Sequence, residues 1–333
     1  MNPFPLLQIQ EPWLLAAAFL AAVGISLLLT ALLLGLLRRR GFGQRVRDDG
    51  PITHRVKEGT PTMGGIAFVL SALLVLPFFS PMSPEILLVL GVMLGGTVLG
   101  FSDDYLKVAL RRPLGLRGRD KLLVQLILGA VLGWLAVGVL GRDPDLVLPF
   151  VTGRIPLGAA YPLFTALLLT ATTNAVNLTD GLDGLAAGGT ALAVLVFTVA
   201  ALARDEVGLA LAGVVLLGVC IGFLWHNFHP ARVIMGDTGS LGLGAALAAL
   251  AVLTETELLL IVAGGLFVVE TLSVIVQVIF FRATGGRRLL RMSPLHHHFE
   301  LVGWGEVGTV LALWAFQLAC VVVALFGLRG MGA

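Results

Sequence analysis

Residues 185–225 read L-A-A-G-G-T-A-L-A-V-L-V-F-T-V-A-A-L-A-R-D-E-V-G-L-A-L-A-G-V-V-L-L-G-V-C-I-G-F-L-W. Two apolar runs, Leu185–Ala203 and Val207–Trp225, are parted only by Arg204-Asp205-Glu206. Each is close to the roughly 20 residues an α-helix needs to cross a bilayer, so the pair reads as two consecutive membrane crossings. The remainder of the chain follows suit. Of its 333 residues 57% are hydrophobic and only 13% charged, about half the roughly 25% charged residues of a soluble domain. So few charges cannot cover a water-exposed surface.

Working outward, further runs lie at Trp13–Leu37, Gly64–Phe79, Ile86–Phe101, Leu122–Leu140, Ala159–Val176, Leu241–Leu253, Leu258–Phe281 and Val307–Leu328. The expectation is an all-α polytopic membrane protein of about ten transmembrane helices, with residues 1–333 forming one membrane domain. The run from Trp13 is too long for a signal-peptide core and reads as a retained helix. The run from Leu241 is short enough for a half-span, and that from Leu258 long enough to tilt or bend. Cys220 and Cys320 sit inside apolar runs, without zinc or disulfide spacing, and read as small buried hydrophobes.

Charge placement sets the orientation. With ten spans, the loops at 38–63, 102–121, 177–184, 226–240 and 282–306 carry 18 of the 22 Lys and Arg residues. The opposite face, including both ends, keeps only Arg142, Arg154, Arg204 and Arg329. Basic loops stay in the cytoplasm, so both termini are expected outside. Between Asp145 and Leu157, Thr152-Gly153 separates two extended arms and predicts a short external β-hairpin.

Polar motifs gather at the basic face. Asp103-Asp104, in G-F-S-D-D-Y-L-K, closes the third run; adjacent carboxylates there suit a divalent ion or proton transfer, or simply a solvated helix end. Downstream, Arg111, Arg112, Arg117 and Arg119 suit orientation or anionic lipid, whereas Lys121 stands at the mouth of the next span. Asn174, Asn177, Asp180 and Asp183 recur every third residue, so they can share a helical face. Their loop has no Lys or Arg, and uncompensated acids beside lipid are expensive without a ligand. Asn227-Phe-His229-Pro leads into Gly236-Asp237-Thr238-Gly239-Ser240, where glycines let Asp237 present its carboxylate on a tight backbone path with N–H groups able to face a phosphate, or merely open a helix. His296-His297-His298, followed by Glu300, invites a metal reading, but adjacent side chains diverge and recognition of phosphate or sugar suits them better. Lys57, Thr60, Thr62 and Gly64-Gly65 form a possible anion grip or a capped helix start. Glu270, well inside the ninth run, is an intramembrane acid and a candidate site residue on that ground.

Five of these segments, taken in order, resemble the motifs of the phospho-N-acetylmuramoyl-pentapeptide transferases, a branch of the polyprenyl-phosphate N-acetylhexosamine-1-phosphate transferases. They are G-T-P-T-M-G-G (59–65), D-D-Y-L-K (103–107), N-L-T-D-G-L-D-G-L (177–185), G-D-T-G-S (236–240) and P-L-H-H-H-F-E (294–300). The resemblance implies transfer of phospho-MurNAc-pentapeptide from UDP-MurNAc-pentapeptide to undecaprenyl phosphate, giving lipid I and UMP. It implies Mg²⁺, a homodimer in the bacterial cytoplasmic (inner) membrane with the active site facing the cytoplasm, and no nucleic-acid partner. By the same resemblance Asp237 is the metal ligand, and Asp103, Asp104, Asp180 and Asp237 are catalytic. Lys57, Thr62, Lys121, Asn174, Asn177, Asp183, Asn227, Gln277, His296, His297 and His298 are expected at substrate-contact positions. One departure stands out: the family usually places Phe two residues before the Gly-Asp, against uracil, where this chain has Ile234. Three alternatives are weaker. The histidine motif disfavours the GlcNAc-1-phosphate branch; an intramembrane prenyltransferase needs two repeated aspartate elements; a secondary transporter needs mid-span acids and symmetric halves.

Overall fold

The computed structural model describes residues 12–43, 58–110, 112 and 114–331. Among them, twelve α-helices and one two-stranded sheet are formed. They are α1 (Pro12–Arg40), α2 (Ile66–Phe79), α3 (Pro84–Val108), α4 (Gly118–Gly138), α5 (Tyr161–Thr179), α6 (Leu185–Ala203), α7 (Val207–Asn227), α8 (Gly236–Leu253), α9 (Leu259–Ala263), α10 (Gly265–Ala283), α11 (Leu295–Leu301) and α12 (Glu306–Gly330). Nine helical segments are long and apolar enough to span a bilayer, and α2 is a shorter apolar helix. The expected hairpin is present: β1 (Asp145–Val147) pairs antiparallel with β2 (Arg154–Pro156), Leu146 facing Ile155.

The short run from Leu241 proves to be the heart of the bundle. As α8 it begins at Gly236, and every residue from Thr238 to Leu253 is buried. Neighbouring helices reach it at backbone contact through small residues, the packing mode available where lipid supplies no hydrophobic drive between helices. A Cβ on Gly100 of α3 would stand 2.0 Å from the Asp237 carbonyl oxygen, and one on Gly244 would stand 2.6 Å from the Cα of Thr173 on α5. Glycine is therefore obligatory at both approaches.

The long run from Leu258 breaks rather than bends. It divides at Gly264 into α9 and α10. Backbone groups freed at such a break must be satisfied inside the membrane. Gln317 of α12 does this: its Oε1 accepts from the Leu266 N–H at 2.9 Å and its Nε2 donates to the Ala263 carbonyl at 2.5 Å.

The two faces of the bundle differ chemically. α1 and α7 lie parallel, with Gly218 against Phe19, Gly222 against Val23 and His226 against the Leu27 carbonyl. The start of α1 thus shares a face with the start of α7, and Gly327 of α12 packs on Phe150 beside the hairpin. Both described chain ends therefore lie on the hairpin face. There, Arg142 pairs with Glu206, Arg154 with Asp143, and Arg204 with Glu255. Three of the four basic residues read as external are thus neutralised within the protein.

Glu257 lies under this layer, 1% exposed, and receives the Tyr161 hydroxyl. Burial pushes its carboxyl from 4.5 up to about 7. An acid raised by folding ionises first in the unfolded chain, so its stabilising contribution is complete below about pH 4.5 and lost as pH climbs to about 7. Glu257→Gln should remove that slope. Melting in detergent is expected to show the variant gaining on the parent at pH 8 and not at pH 4.

Candidate active site

The opposite face gathers the acidic motifs. Its foundation is the start of α8, whose first N–H groups have no partner within the helix. Asp104 of α3 fills that role: its Oδ1 accepts from the Asp237 N–H at 3.3 Å, and its Oδ2 accepts from the Thr238 N–H at 2.9 Å and the Thr238 hydroxyl at 2.7 Å. Gly236 makes this possible, with φ +71° and Asp104 Oδ2 only 2.5 Å from where a Cβ would stand. Thr62 borders the same turn, its hydroxyl 3.0 Å from that point.

Fixed in this way, Asp237 faces three elements. Its Oδ1 accepts from Asn177 Nδ2 of α5 at 3.0 Å. Its Oδ2 lies 2.7 Å from Lys121 Nζ of α4 and 3.2 Å from Lys107 Nζ of α3. The same ammonium groups meet Asp103, Lys107 at 2.5 Å and Lys121 at 3.4 Å. The Leu116 N–H, beside Gly115 at φ +58°, donates to Asp103 Oδ1 at 2.8 Å. Four charged side chains from α3, α4 and α8 thus form one interleaved cluster of two carboxylates and two ammonium ions.

A divalent cation fits this donor set. Carboxylate oxygens of Asp103, Asp104 and Asp237 lie within 4.8 Å of one another, and two ammonium groups already stand among them. Buried Asp103 Oδ2 has the Lys107 ion pair but no hydrogen bond among the described residues. The donors are hard oxygens, as Mg²⁺ requires, and it commonly uses one or two carboxylates. Because both oxygens of Asp104 serve α8, Asp103 and Asp237 are the better placed pair.

The second polar motif divides. Asn177 joins the cluster and also donates to Ser240 Oγ at 2.8 Å. Asn174 turns to α4, donating to Gln125 Oε1 at 2.9 Å, while Gln125 donates to Thr173 Oγ1 at 3.0 Å. Asp180 caps the end of α5. Asp183 belongs to another group: its Oδ2 lies 3.1 Å from His229 Nδ1 and accepts from the Ala231 N–H at 3.0 Å, and Glu306 lies 3.3 Å from the same imidazole. Asn227 braces this turn, accepting from the Gly184 N–H at 3.1 Å and donating to the Val233 carbonyl at 2.9 Å.

The histidines diverge as adjacent side chains should. His296 is fully buried against Glu270 at 3.1 Å, His297 Nδ1 lies 2.8 Å from Glu300 Oε2, and His298 Nδ1 accepts from the Arg291 N–H at 3.1 Å. Gln277 holds the preceding loop, accepting from the N–H groups of Leu289 and Leu290 at 3.1 and 2.9 Å. Lys57 lies outside the described residues. Sequence reading passed over Lys107, Gln125 and Glu306 as site residues. Lys107 alone left a usable signal, four residues after Asp103 on one helical face.

Known proteins bear on the same residues. The description "Glycosyl transferase family 4" matches residues 86–255, and "Phospho-N-acetylmuramoyl-pentapeptide-transferase signature 1" matches residues 57–69. A phospho-N-acetylmuramoyl-pentapeptide-transferase of Desulforudis audaxviator is 50% identical, covering 94% of this chain and 99% of its own. Proteins of that name from Moorella thermoacetica and Bacillus subtilis are 52% and 45% identical, over 93% and 91% of this chain and 96% and 94% of theirs.

The bonding of Asp104 makes it a structural support of α8 before anything else. Removing a partner from buried donors costs about 1–3 kcal/mol. Asp104→Ala should lower the melting temperature in detergent whether or not Mg²⁺ is present. Thr238→Val, which removes one donor and leaves the carboxylate its backbone partners, should lower it less.

Proposed function

The chain belongs to the phospho-N-acetylmuramoyl-pentapeptide transferases, and on that premise we propose how its own residues serve the reaction. The protein transfers phospho-MurNAc-pentapeptide to undecaprenyl phosphate, forming lipid I. With UDP-MurNAc-pentapeptide as donor, an oxygen of the lipid phosphate attacks the sugar-linked phosphorus. The bond from that phosphorus to the bridging oxygen breaks, and UMP leaves with the electron pair. In such transfers positioning and charge stabilisation do most of the catalytic work.

The observation that carries this reading is the meeting of Asp103, Asp237, Lys107 and Lys121 at one polar face. Lys107 and Lys121 give up carboxylate contacts to hold pyrophosphate oxygens and offset charge growing on the departing UMP. Asp237 and Asp103 would hold Mg²⁺, which would offset the negative charge of the phosphoryl oxygens. Asp103 also accepts the proton of whatever fraction of the lipid phosphate arrives protonated. Asn177 fixes the Asp237 carboxylate, and Asp104 fixes the helix that carries it. The turn bearing Asp180 and Asp183, with Asn227, Thr62 and Lys57, frames the nucleotide. Ile234 covers the uracil face without a stacking π-surface. Its half-buried position beside Thr62 supports this, with its backbone tied to Pro61 and Gly64 at 2.8 and 3.0 Å.

The polar face opens to the cytoplasm, because most of the described Lys and Arg residues lie in the loops on that side. A soluble nucleotide-sugar and a membrane-bound acceptor can meet only at such a boundary. The transporter alternative loses ground because, among the candidate acids, Glu270 alone lies well inside a long apolar run.

Purified protein in detergent is expected to release UMP from UDP-MurNAc-pentapeptide plus polyprenyl phosphate, and to stop when EDTA is added. UDP-GlcNAc in place of the donor should give no release. Asp237→Asn should lower kcat by about 10²–10³-fold or more while the protein still inserts; retained turnover would refute the assignment of Asp237.

A further inference from the structure

Glu270 is the one candidate acid that the reaction above leaves without a task. It lies in the first part of α10, fully buried in a mainly apolar membrane-spanning helix. Its Oε2 is 3.1 Å from His296 Nδ1 and accepts from the His296 backbone N–H at 3.4 Å. His296 is also fully buried. Glu270 Oε1 and both ring nitrogens of His296 lack a hydrogen-bond partner among the described residues, the Nδ1 contact with Oε2 being close but poorly directed. Desolvated groups left this way cost free energy, and Leu or Phe would fill the volume without that cost.

The far edge of the imidazole shows what the arrangement holds. A Cβ on Gly181 would stand 2.1 Å from His296 Nε2 and 2.9 Å from its Cε1. Gly181 lies in the turn between Asp180, which caps α5, and Asp183. The ring is therefore wedged between an intramembrane carboxylate and the backbone of the turn that carries two site acids. The same turn is gripped further on, where the Asp183 N–H donates to Glu306 at 2.8 Å and the Gly184 N–H to Asn227 at 3.1 Å. At Gly181 itself the imidazole edge is the nearest side-chain contact.

We propose that Glu270 is a positioning residue: through His296 it fixes the Asp180–Asp183 turn in the conformation the transfer requires. The carboxylate selects the tautomer with the proton on Nδ1, as carboxylates do for ordered imidazoles. Nε2 is then unprotonated and can rest directly on the Gly181 backbone. Without an acceptor at position 270 the ring is free to change tautomer and tilt, and the turn loses its support. The kinetic part of the proposal rests on the transferase reading; the tautomer part does not.

Two measurements test it on the full-length protein in detergent. The first is ¹⁵N NMR of imidazole-labelled protein, which has six histidines. One should be a permanently Nδ1-protonated tautomer that disappears in Glu270→Leu and persists in Glu270→Gln, whose amide oxygen still accepts. The second is UMP release. Glu270→Leu should lower kcat about 10–100-fold, the range typical when a group orienting a site residue is removed, with little change in KM for the nucleotide donor. Glu270→Gln should recover most of that loss. Gly181→Ala, pressing on the ring from the other side, should also lower kcat and shift the same resonance. Combined with Glu270→Leu it should be less than multiplicative, because both act through one imidazole.

Wild-type kcat in Glu270→Leu would overturn the proposal. So would equal loss in Glu270→Gln and Glu270→Leu with the tautomer unchanged, or strictly multiplicative effects. Should Glu270→Leu fail to insert, Gly181→Ala decides: wild-type rate and an unmoved resonance would refute the wedge. If the parent protein itself released no UMP, the transferase reading would fail, and the NMR arm would still judge the tautomer.

Discussion

Everything on the polar face depends on how closely α3 can approach the start of α8. Two constraints meet at that contact. Glycines at 96 and 100 bring the backbones together, and Asp104 supplies hydrogen bonds to α8 donors that would otherwise be buried without partners. The approach would be too close with any side chain at Gly100, and costly with no acceptor at position 104. Because Asp104 is spent on the helix start, its neighbour in sequence, Asp103, is left beside Lys107 and Lys121. The paired aspartates thus divide their work: one builds the frame and the other faces the two ammonium groups.

The two ends of the bundle handle charge in contrasting ways. On the hairpin face, Arg142, Arg154 and Arg204 each have a carboxylate of their own, which leaves little for a ligand to exchange with. On the opposite face, the charges of Asp103, Asp237, Lys107 and Lys121 are shared four ways, so no ammonium belongs to one acid alone. A shared cluster is easier to reorganise than a set of isolated pairs. One contact can be traded for a phosphate oxygen while the others remain.

Sequence reading located the spans and the hairpin because each has a local signature: run length and a turn dipeptide. It also expected the acidic motifs on one face, and there Asp103, Asn177 and Asp237 meet. It underestimated α8, because Gly and Ala lower apparent hydrophobicity where helices must pack most closely. It left open whether the run from Leu258 would tilt or bend, because the break at Gly264 is made tolerable by Gln317, more than fifty residues away. The recurrence of Asn174, Asn177, Asp180 and Asp183 suggested one shared surface. In the folded chain Asn174 instead faces Gln125, Asn177 faces Asp237, and Asp183 faces His229. Helix α5 ends between the amides and the acids, so a spacing of three loses its meaning there. Partner choice of this kind depends on what other helices present, and no local pattern encodes it.

The state of Lys107 and Lys121 bears on how a substrate enters. With two carboxylates and two ammonium ions, the cluster is close to neutral by itself, and Asp104 is offset by the positive end of α8. On the proposed reading, such a site attracts a pyrophosphate weakly at long range, and that task would fall to the surrounding basic loops. Local capture must then come from exchange: a phosphate oxygen takes the place of an aspartate oxygen on each lysine, and the carboxylate so released needs a new cation. Lys107, the more exposed of the two at 36% against 20% for Lys121, is the natural one to move first. On that reading the strength of the resting ion pairs sets a lower limit on what substrate contacts must supply.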